Sequence, residues 1–152
     1  MQLLMWLMAS LVFKLVVSDS HGCLCFAAAM ICSDHISVEV AEAMAISEGI
    51  MLAISRDLIP LSIESDALNV VQLCNNSFTS KLEVGSLIEE IQMFCLVFYF
   101  DSISFVHRLC NNVSYCLARH ALSLDCSVCW DVFFPSWLLK LAVGDFPVVL
   151  SP

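Results

Sequence analysis

Apolar runs alternate with short polar segments along the chain, and their spacing predicts an ordered series of strands and helices. Residues 11–18 and 23–31 are dominated by apolar side chains, which is typical of buried strands. Between them lies Asp19-Ser20-His21-Gly22, whose Asp and Ser side chains can hydrogen-bond the backbone and whose glycine permits a positive φ. The pattern therefore predicts two antiparallel strands joined by a turn.

The next stretch predicts a long helix. Between residues 38 and 55, apolar side chains recur every three or four positions. Ser37 is a suitable N-cap, and Glu39 suits the positive end of the helix dipole. Pro60 prevents the helix from continuing. We therefore predict a helix over 38–55.

Further strands and helices follow Pro60. Residues 61–64 predict a short buried strand, and Asp66 is expected to cap the helix after it. The remaining predicted elements are helices over 67–74, 84–96 and 112–122, a strand over 102–107, and a short helix that starts near Pro135. Because strands and helices are interleaved, we predict an α/β fold with a mixed sheet flanked by helices.

The composition raises the question of a membrane or secreted protein. Hydrophobic residues make up 60% of the 152 residues, charged residues 14%, and the mean hydropathy is +0.88. The apolar run from Met1 to Phe13 ends at Lys14, whereas a spanning helix needs about 20 apolar residues, so no membrane span is predicted. A small secreted Cys-rich protein, cleaved near Ser18, stays open as an alternative, although no Lys or Arg precedes the apolar run.

The spacing of the nine cysteines favours reduced thiols. Cys23 and Cys25 would point to the same face of a strand, so a bridge between them would be strained. A structural zinc site usually takes two close pairs of ligands, and only Cys126 and Cys129 have the required spacing. We therefore predict reduced, mostly buried thiols in an intracellular protein of the nucleus or cytoplasm.

The charge distribution limits the function classes. The net charge is −9, and the six basic residues are scattered: Lys14, Arg56, Lys81, Arg108, Arg119 and Lys140. Because nucleic-acid binders neutralise phosphates with clustered Lys and Arg, strong independent binding to nucleic acid is not expected. No glycine-rich phosphate loop and no Gly-x-Ser-x-Gly nucleophile turn occurs.

Two carboxylates carry the most specific chemical prediction. Glu42 lies inside an otherwise apolar helical stretch, and Asp66 comes just past the end of an apolar strand. Bringing two carboxylates together in a low-dielectric setting is costly unless a positive group lies between them. A divalent metal is the usual partner, so metal-assisted phosphate chemistry is the hypothesis.

Several motifs, in their order along the chain, resemble one family. They are Val16-Val17-Ser18-Asp19-Ser20-His21-Gly22, Val40-Ala41-Glu42-Ala43-Met44-Ala45, Ile63-Glu64-Ser65-Asp66-Ala67-Leu68-Asn69, and the stretch from His107 to Arg119. Together they resemble the ribonuclease H type-1 domain, and more narrowly its plant, retroelement-derived form in the reverse-transcriptase-like superfamily. The resemblance implies a domain over 11–125 and a C-terminal tail over 126–152.

The resemblance also implies the site residues. Such domains use four carboxylates to hold two Mg²⁺ ions and cut the RNA strand of an RNA–DNA hybrid. Two of the four positions fall on Glu42 and Asp66, while Met8 and Tyr115 stand where the other two carboxylates belong. Arg108 and Asn111 match a loop that could contact nucleic acid.

These departures imply a degenerate, N-terminally truncated member whose first strand is altered or missing. Methionine cannot ligate Mg²⁺, and a neutral tyrosine is a poor substitute for a carboxylate. We therefore expect weak Mg²⁺ binding and a weak or inactive hybrid endonuclease. The alternatives are a non-catalytic interaction module with the same fold and the secreted Cys-rich protein.

Overall fold

The computed structural model describes residues 2–8, 12–19, 21–31, 36–58, 62–76, 83–98, 100, 103–107 and 112–145. The elements of these residues are β1 (Gln2–Met8), β2 (Val12–Ser18), β3 (Leu24–Ile31), α1 (Val38–Ser55), β4 (Ser62–Ser65), α2 (Leu68–Asn75), α3 (Gly85–Val97), β5 (Ser104–Phe105), α4 (Asn112–Leu124), β6 (Val128–Trp130) and α5 (Ser136–Asp145). Within the described residues, no helix is both long and apolar enough to cross a membrane.

The strands form one mixed sheet in the order β5-β4-β1-β2-β3-β6. Strand β1 pairs parallel with β4 and antiparallel with β2, and β2 pairs antiparallel with β3. Strand β4 pairs parallel with β5, while β6 pairs antiparallel with β3. Helices pack on both faces of the sheet, so the predicted α/β fold with a mixed sheet flanked by helices is confirmed.

The first strand, β1, is present in the sheet. The predicted fold allowed it to be altered or missing, and no strand was predicted before residue 11. Residues 2–8 in fact occupy the centre of the sheet, with Leu4 opposite both Val16 of β2 and Glu64 of β4. The strand is therefore present, and its sequence, Gln-Leu-Leu-Met-Trp-Leu-Met, contains no carboxylate.

One core lies between the sheet and helices α1, α2 and α3. Helix α1 buries small and branched side chains such as Ala43, Ile46 and Ile50 against this face of the sheet. The first turn of α1 is as predicted: Ser37 is the N-cap, its Oγ accepts a hydrogen bond from the Val40 N–H at 3.3 Å, and the first turn carries an acidic residue. This cap fixes where α1 begins.

A second core lies on the opposite face, under α4 and α5. Val113, Leu117 and Ala121 of α4 recur at helical spacing and pack against β2 and β3. Residues 126–145 add to both the sheet and the helical layer that covers it. Strand β6 pairs beside β3, and α5 buries Leu138 and Ala142 in this second core.

The turn between β2 and β3 forms as predicted. The Asp19 Oδ1 accepts hydrogen bonds from the backbone N–H groups of His21 at 2.8 Å and Cys23 at 2.9 Å. Gly22 adopts a φ of 80°, a conformation that glycine takes without steric cost. The hydrogen bond from Cys23 lowers the pKa of the Asp19 carboxyl, because it favours the ionised form.

The start of α2 corrects one prediction. Asp66 was expected to be the N-cap, but that position is Ala67, which has no side chain able to cap. The Ser65 Oγ instead accepts a hydrogen bond from the Ala67 N–H at 3.2 Å. The prediction was wrong because β4 continues to Ser65 and α2 begins only at Leu68, so Asp66 lies one residue before the capping position.

The prediction of mostly buried thiols is wrong for the described cysteines, of which only Cys74 is buried. Because they differ in exposure, we expect them to differ in reactivity. Burial raises the pKa of the Cys74 thiol to about 12, and the nearby Cys95 adds to this rise. Cys23, Cys126 and Cys129 are exposed. At about pH 8, iodoacetamide should therefore alkylate these three at least about 100-fold faster than Cys74, because the thiolate is the nucleophile.

Mass spectrometry of peptides from time points of alkylation gives the rates for each cysteine. In guanidinium chloride the difference should disappear, which serves as the control. Labelling of Cys74 in the folded protein as fast as that of Cys126 would show that α2 does not bury this thiol.

Candidate functional site

The direction of the strands defines one edge of the sheet. Strands β1 and β4 run parallel to each other. Strand β3 runs in the same direction as β1, because both are antiparallel to β2. We call the edge where these three strands end the carboxyl edge. Helix α1 follows β3 after a short connection, so its N-terminal turns lie at the carboxyl edge.

The two predicted carboxylates belong to this edge. Glu42 lies in the second turn of α1, and Asp66 directly follows the last residue of β4. The topology therefore brings the helix turn that carries Glu42 and the strand end that carries Asp66 to the same edge. Whether the two carboxylates come close enough to share a cation stays a prediction.

Both side chains lie at the boundary between core and solvent. Glu42 is half-buried, and its neighbour Ala43 is fully buried in the core under α1. Asp66 is half-buried between Ser65 and Ala67, which are both buried. A carboxylate in such a position is partly desolvated, which strengthens its interaction with any cation that reaches it.

The backbone around Asp66 is held from two sides. The Val106 N–H donates a hydrogen bond to the Ser65 carbonyl at 3.0 Å, and Ser65 pairs with Phe105 of β5. On the other side, the Ala67 N–H is bonded to the Ser65 side chain. These contacts fix the bend that carries Asp66, so its position does not depend on a mobile loop.

The register of β1 shows which of its residues lies nearest in level to Asp66. Leu4 pairs with Glu64, so the register continued by two residues brings Trp6 level with Asp66. Met8 lies two residues further along and pairs with Val12 at the hairpin end of β1. The family resemblance placed a lost carboxylate position at Met8, and this assignment stays a prediction.

Comparison with known families decides the family of this chain. The model of the family described as reverse transcriptase-like matches residues 10–121. The chain belongs to the reverse transcriptase-like family. A search of curated proteins finds no match for it.

The family match covers both carboxylates but not the first strand. It starts in the connection before β2 and runs into α4, so it contains Glu42, Asp66 and Tyr115. Met8 and the rest of β1 precede it. In this reverse transcriptase-like chain, the assignment of Met8 to a family carboxylate position thus stays a prediction.

The other predicted site residues lie at the start of α4. Tyr115 is in the first turn of this helix, which follows β5 in the chain; its side chain lies outside what the structure describes. Arg108 and Asn111 fall in the connection before α4, which is outside the described residues. Their predicted contacts with nucleic acid therefore stay predictions.

Two further groups lie near the edge. Glu64 is half-buried in β4, where it pairs with Ser104 of β5. His107 is exposed, with its ring edge-on to Phe105 at a centroid distance of 5.1 Å.

The described residues contain no larger cluster of metal ligands. No group of three or more His, Cys, Asp or Glu side chains in the described part of the chain could hold a metal ion. Mg²⁺ is commonly held by one or two carboxylates with water filling its other positions, so a site at Glu42 and Asp66 would depend on these two side chains and stays a prediction.

Proposed function

We propose that this chain is a ribonuclease H type-1 domain of plant retroelement origin that has become degenerate. Its partner would be nucleic acid in the form of an RNA–DNA hybrid, bound weakly by a chain of net charge −9. Hybrid cleavage would be weak or absent. We place the protein inside the cell, in the nucleus or cytoplasm.

One observation carries the proposal. Glu42 and Asp66 belong to the same edge of the sheet inside the family match, while β1, the strand between β4 and β2, has no carboxylate in its sequence. Glu42 and Asp66 would hold one Mg²⁺. When bound, the ion would supply Lewis-acid stabilisation of a phosphate group. Two carboxylates leave the ion weakly held, and Tyr115 adds no negative charge at neutral pH.

The same observation favours a second candidate, a non-catalytic interaction module. A fold that keeps its sheet and both cores but lacks a carboxylate in its central strand can still bind a partner. Such a module would bind the hybrid or another partner without cutting it. The two candidates share the fold and differ in whether the protein cleaves the RNA–DNA hybrid.

A cleavage assay with a labelled RNA–DNA hybrid tests the proposal. We expect turnover well below the roughly 1–10³ s⁻¹ typical of enzymes, in either Mg²⁺ or Mn²⁺. Any turnover should be lost in Asp66→Asn and Glu42→Gln, because each change removes a carboxylate that would hold the ion. Glu48→Gln removes an exposed carboxylate from the same helix as Glu42 and should leave turnover unchanged.

Three outcomes distinguish the candidates. Slow cleavage that Asp66→Asn abolishes supports the degenerate nuclease. Hybrid binding in a gel-shift assay without cleavage supports the interaction module. Cleavage at an ordinary enzymatic rate that Asp66→Asn leaves intact would refute a metal site at these residues.

A further inference from the structure

A shallow cavity of about 480 Å³, largely open to solvent, lies between α4 and α5 on the face of the sheet opposite α1. Its volume falls within the roughly 300–1,000 Å³ typical of small-molecule sites. It is lined by Cys116, Arg119, His120, Ser123, Trp137 and Leu141. Neither of the carboxylates of the carboxyl edge takes part in it.

Helical spacing explains why these residues meet. Leu117 and Ala121 of α4 face the sheet and are fully buried. Cys116, His120 and Ser123 follow one another at four and three residues on a neighbouring face of α4, which leaves them beside α5 rather than the sheet. Trp137 and Leu141 recur at four residues on α5 and form the opposite wall.

One wall of the cavity includes aromatic rings that contact one another. The His120 ring lies 5.1 Å from Trp137 and 5.8 Å from Trp130, measured between ring centroids. The two tryptophans meet edge to face at 6.0 Å and 85°. Because each of the three rings touches the other two, Trp137 is held in place by its neighbours and can offer its surface to a flat ligand without being ordered first.

Two basic side chains belong to the same two helices, one on each. The described part of the chain holds four Lys or Arg side chains. Lys14 is buried at 3% exposure, and Arg56 is paired with Asp131 at 2.9 Å. The other two are Arg119, which lines the cavity, and Lys140, which is exposed on α5 next to Leu141.

Arg119 combines an exposed position with an interaction inside the chain. Its side chain is exposed and takes part in an intramolecular interaction. A guanidinium carries five N–H donors in a planar fork. The same fork matches the oxygens of a phosphate in two-point geometry.

We propose that this cavity binds a flat aromatic ring joined to a phosphate, the chemistry of a nucleoside monophosphate. The base would stack on Trp137, and the phosphate would accept hydrogen bonds from Arg119. The ligand could be a free mononucleotide or the 5′-phosphorylated end of a single strand, which present the same groups. The proposal does not rest on the proposed function, because the cavity and the carboxyl edge share no residue.

Titration with adenosine monophosphate tests the site. Isothermal titration calorimetry should give saturable binding with a dissociation constant below about 1 mM, and the indole N–H signals of Trp130 and Trp137 should shift in the NMR spectrum. Adenosine and inorganic phosphate should each bind at least about 10-fold more weakly, because each offers only half of the contacts. A short 5′-phosphorylated oligoadenylate forms a parallel arm: tighter binding of the oligonucleotide identifies a strand end, and tighter binding of the monophosphate identifies the free nucleotide.

Two variants and a matched control assign the binding to the cavity. Arg119→Gln and Trp137→Leu should each weaken binding of adenosine monophosphate at least about 10-fold. Arg56→Gln removes the same charge elsewhere and should change the affinity less than about 2-fold. If Trp137→Leu lowers the melting temperature too far for titration, Arg119→Gln decides, since its side chain is exposed. No saturable binding to the wild type at 10 mM ligand, or an equal loss in Arg119→Gln and Arg56→Gln, would overturn the proposal.

Discussion

Replacement of Ile50 by alanine is expected to lower the free energy of unfolding by about 2–5 kcal/mol. Ile50 has no solvent exposure and lies in the core between α1 and the sheet, together with Ile46, Ile63 and Ile88. Truncation removes buried methyl and methylene groups and leaves a cavity that the surrounding side chains can fill only in part. Because domains have total stabilities of about 5–15 kcal/mol, the variant should lose a large share of its stability.

Urea unfolding followed by circular dichroism measures this loss. Met51→Ala is the matched control, because Met51 is the next residue of the same helix and is 49% exposed. It should cost less than about 1 kcal/mol. Equal losses in the two variants would contradict the orientation of α1 on the sheet.

Asp66→Asn is expected to weaken binding of Mn²⁺, used as a paramagnetic substitute for Mg²⁺, by more than about 10-fold. The asparagine keeps the size of the side chain but removes the negative charge and one carboxylate oxygen. With Glu42 as the other proposed ligand, the loss leaves one carboxylate to hold the ion, and a hard cation depends on charged oxygen ligands. Electron paramagnetic resonance of free Mn²⁺ during titration gives the affinity.

Glu42→Gln should reproduce the effect of Asp66→Asn, because both carboxylates are proposed to hold the same ion. Glu48→Gln should retain the wild-type affinity, since Glu48 is an exposed carboxylate further along α1. The double variant at Glu42 and Asp66 should bind Mn²⁺ with nearly the same affinity as either single variant. This is expected when two groups act as a unit. Independent, additive losses would indicate two separate surface sites.

Local signals in the sequence were sufficient for several elements. Helix α1 spans Val38–Ser55, as predicted, because its cap at Ser37, its apolar spacing and Pro60 after it all act within a few residues. The turn at Asp19 was likewise predictable, since the hydrogen bonds to its carboxylate come from residues two and four positions ahead. Where the determining contacts are local, the sequence is a sufficient guide.

The central strand β1 could not be predicted in the same way. Residues 2–8 are apolar in sequence apart from Gln2, so they lack the alternation that identifies a half-buried strand. At the start of a chain, such a run resembles a leader sequence as much as a strand. Its assignment depends on pairing with β4, which lies more than fifty residues later in the chain.

Strand β6 was missed for a related reason. It is short, and it is held at the sheet by distant partners: Cys129 pairs with Ala28, and the Ile31 N–H donates to the Ser127 Oγ at 2.9 Å. The pattern of Cys126 and Cys129 suggested a metal pair instead. The aromatic cavity was missed too, because His120, Trp130 and Trp137 come together only when α4, β6 and α5 pack.

The candidate site comes from motifs that resemble a family, and the structure adds the place of these motifs in the sheet. The motifs around Glu42 and Asp66 led to these two residues, and the topology assigns both to the carboxyl edge. The register continued from Leu4 and Glu64 brings Trp6 level with Asp66. Register depends on which strands pair, and that information is not contained in the strand itself.

Paramagnetic broadening of amide signals by Mn²⁺ is the most direct test of whether Glu42 and Asp66 share one cation. At substoichiometric Mn²⁺, we expect selective broadening of the amides around Glu42 in α1 and of those around Asp66 after β4, at the same metal concentration, with both effects lost in Asp66→Asn. Broadening at only one of the two segments, or broadening around Glu42 that persists unchanged in Asp66→Asn, would contradict a shared metal site at the carboxyl edge.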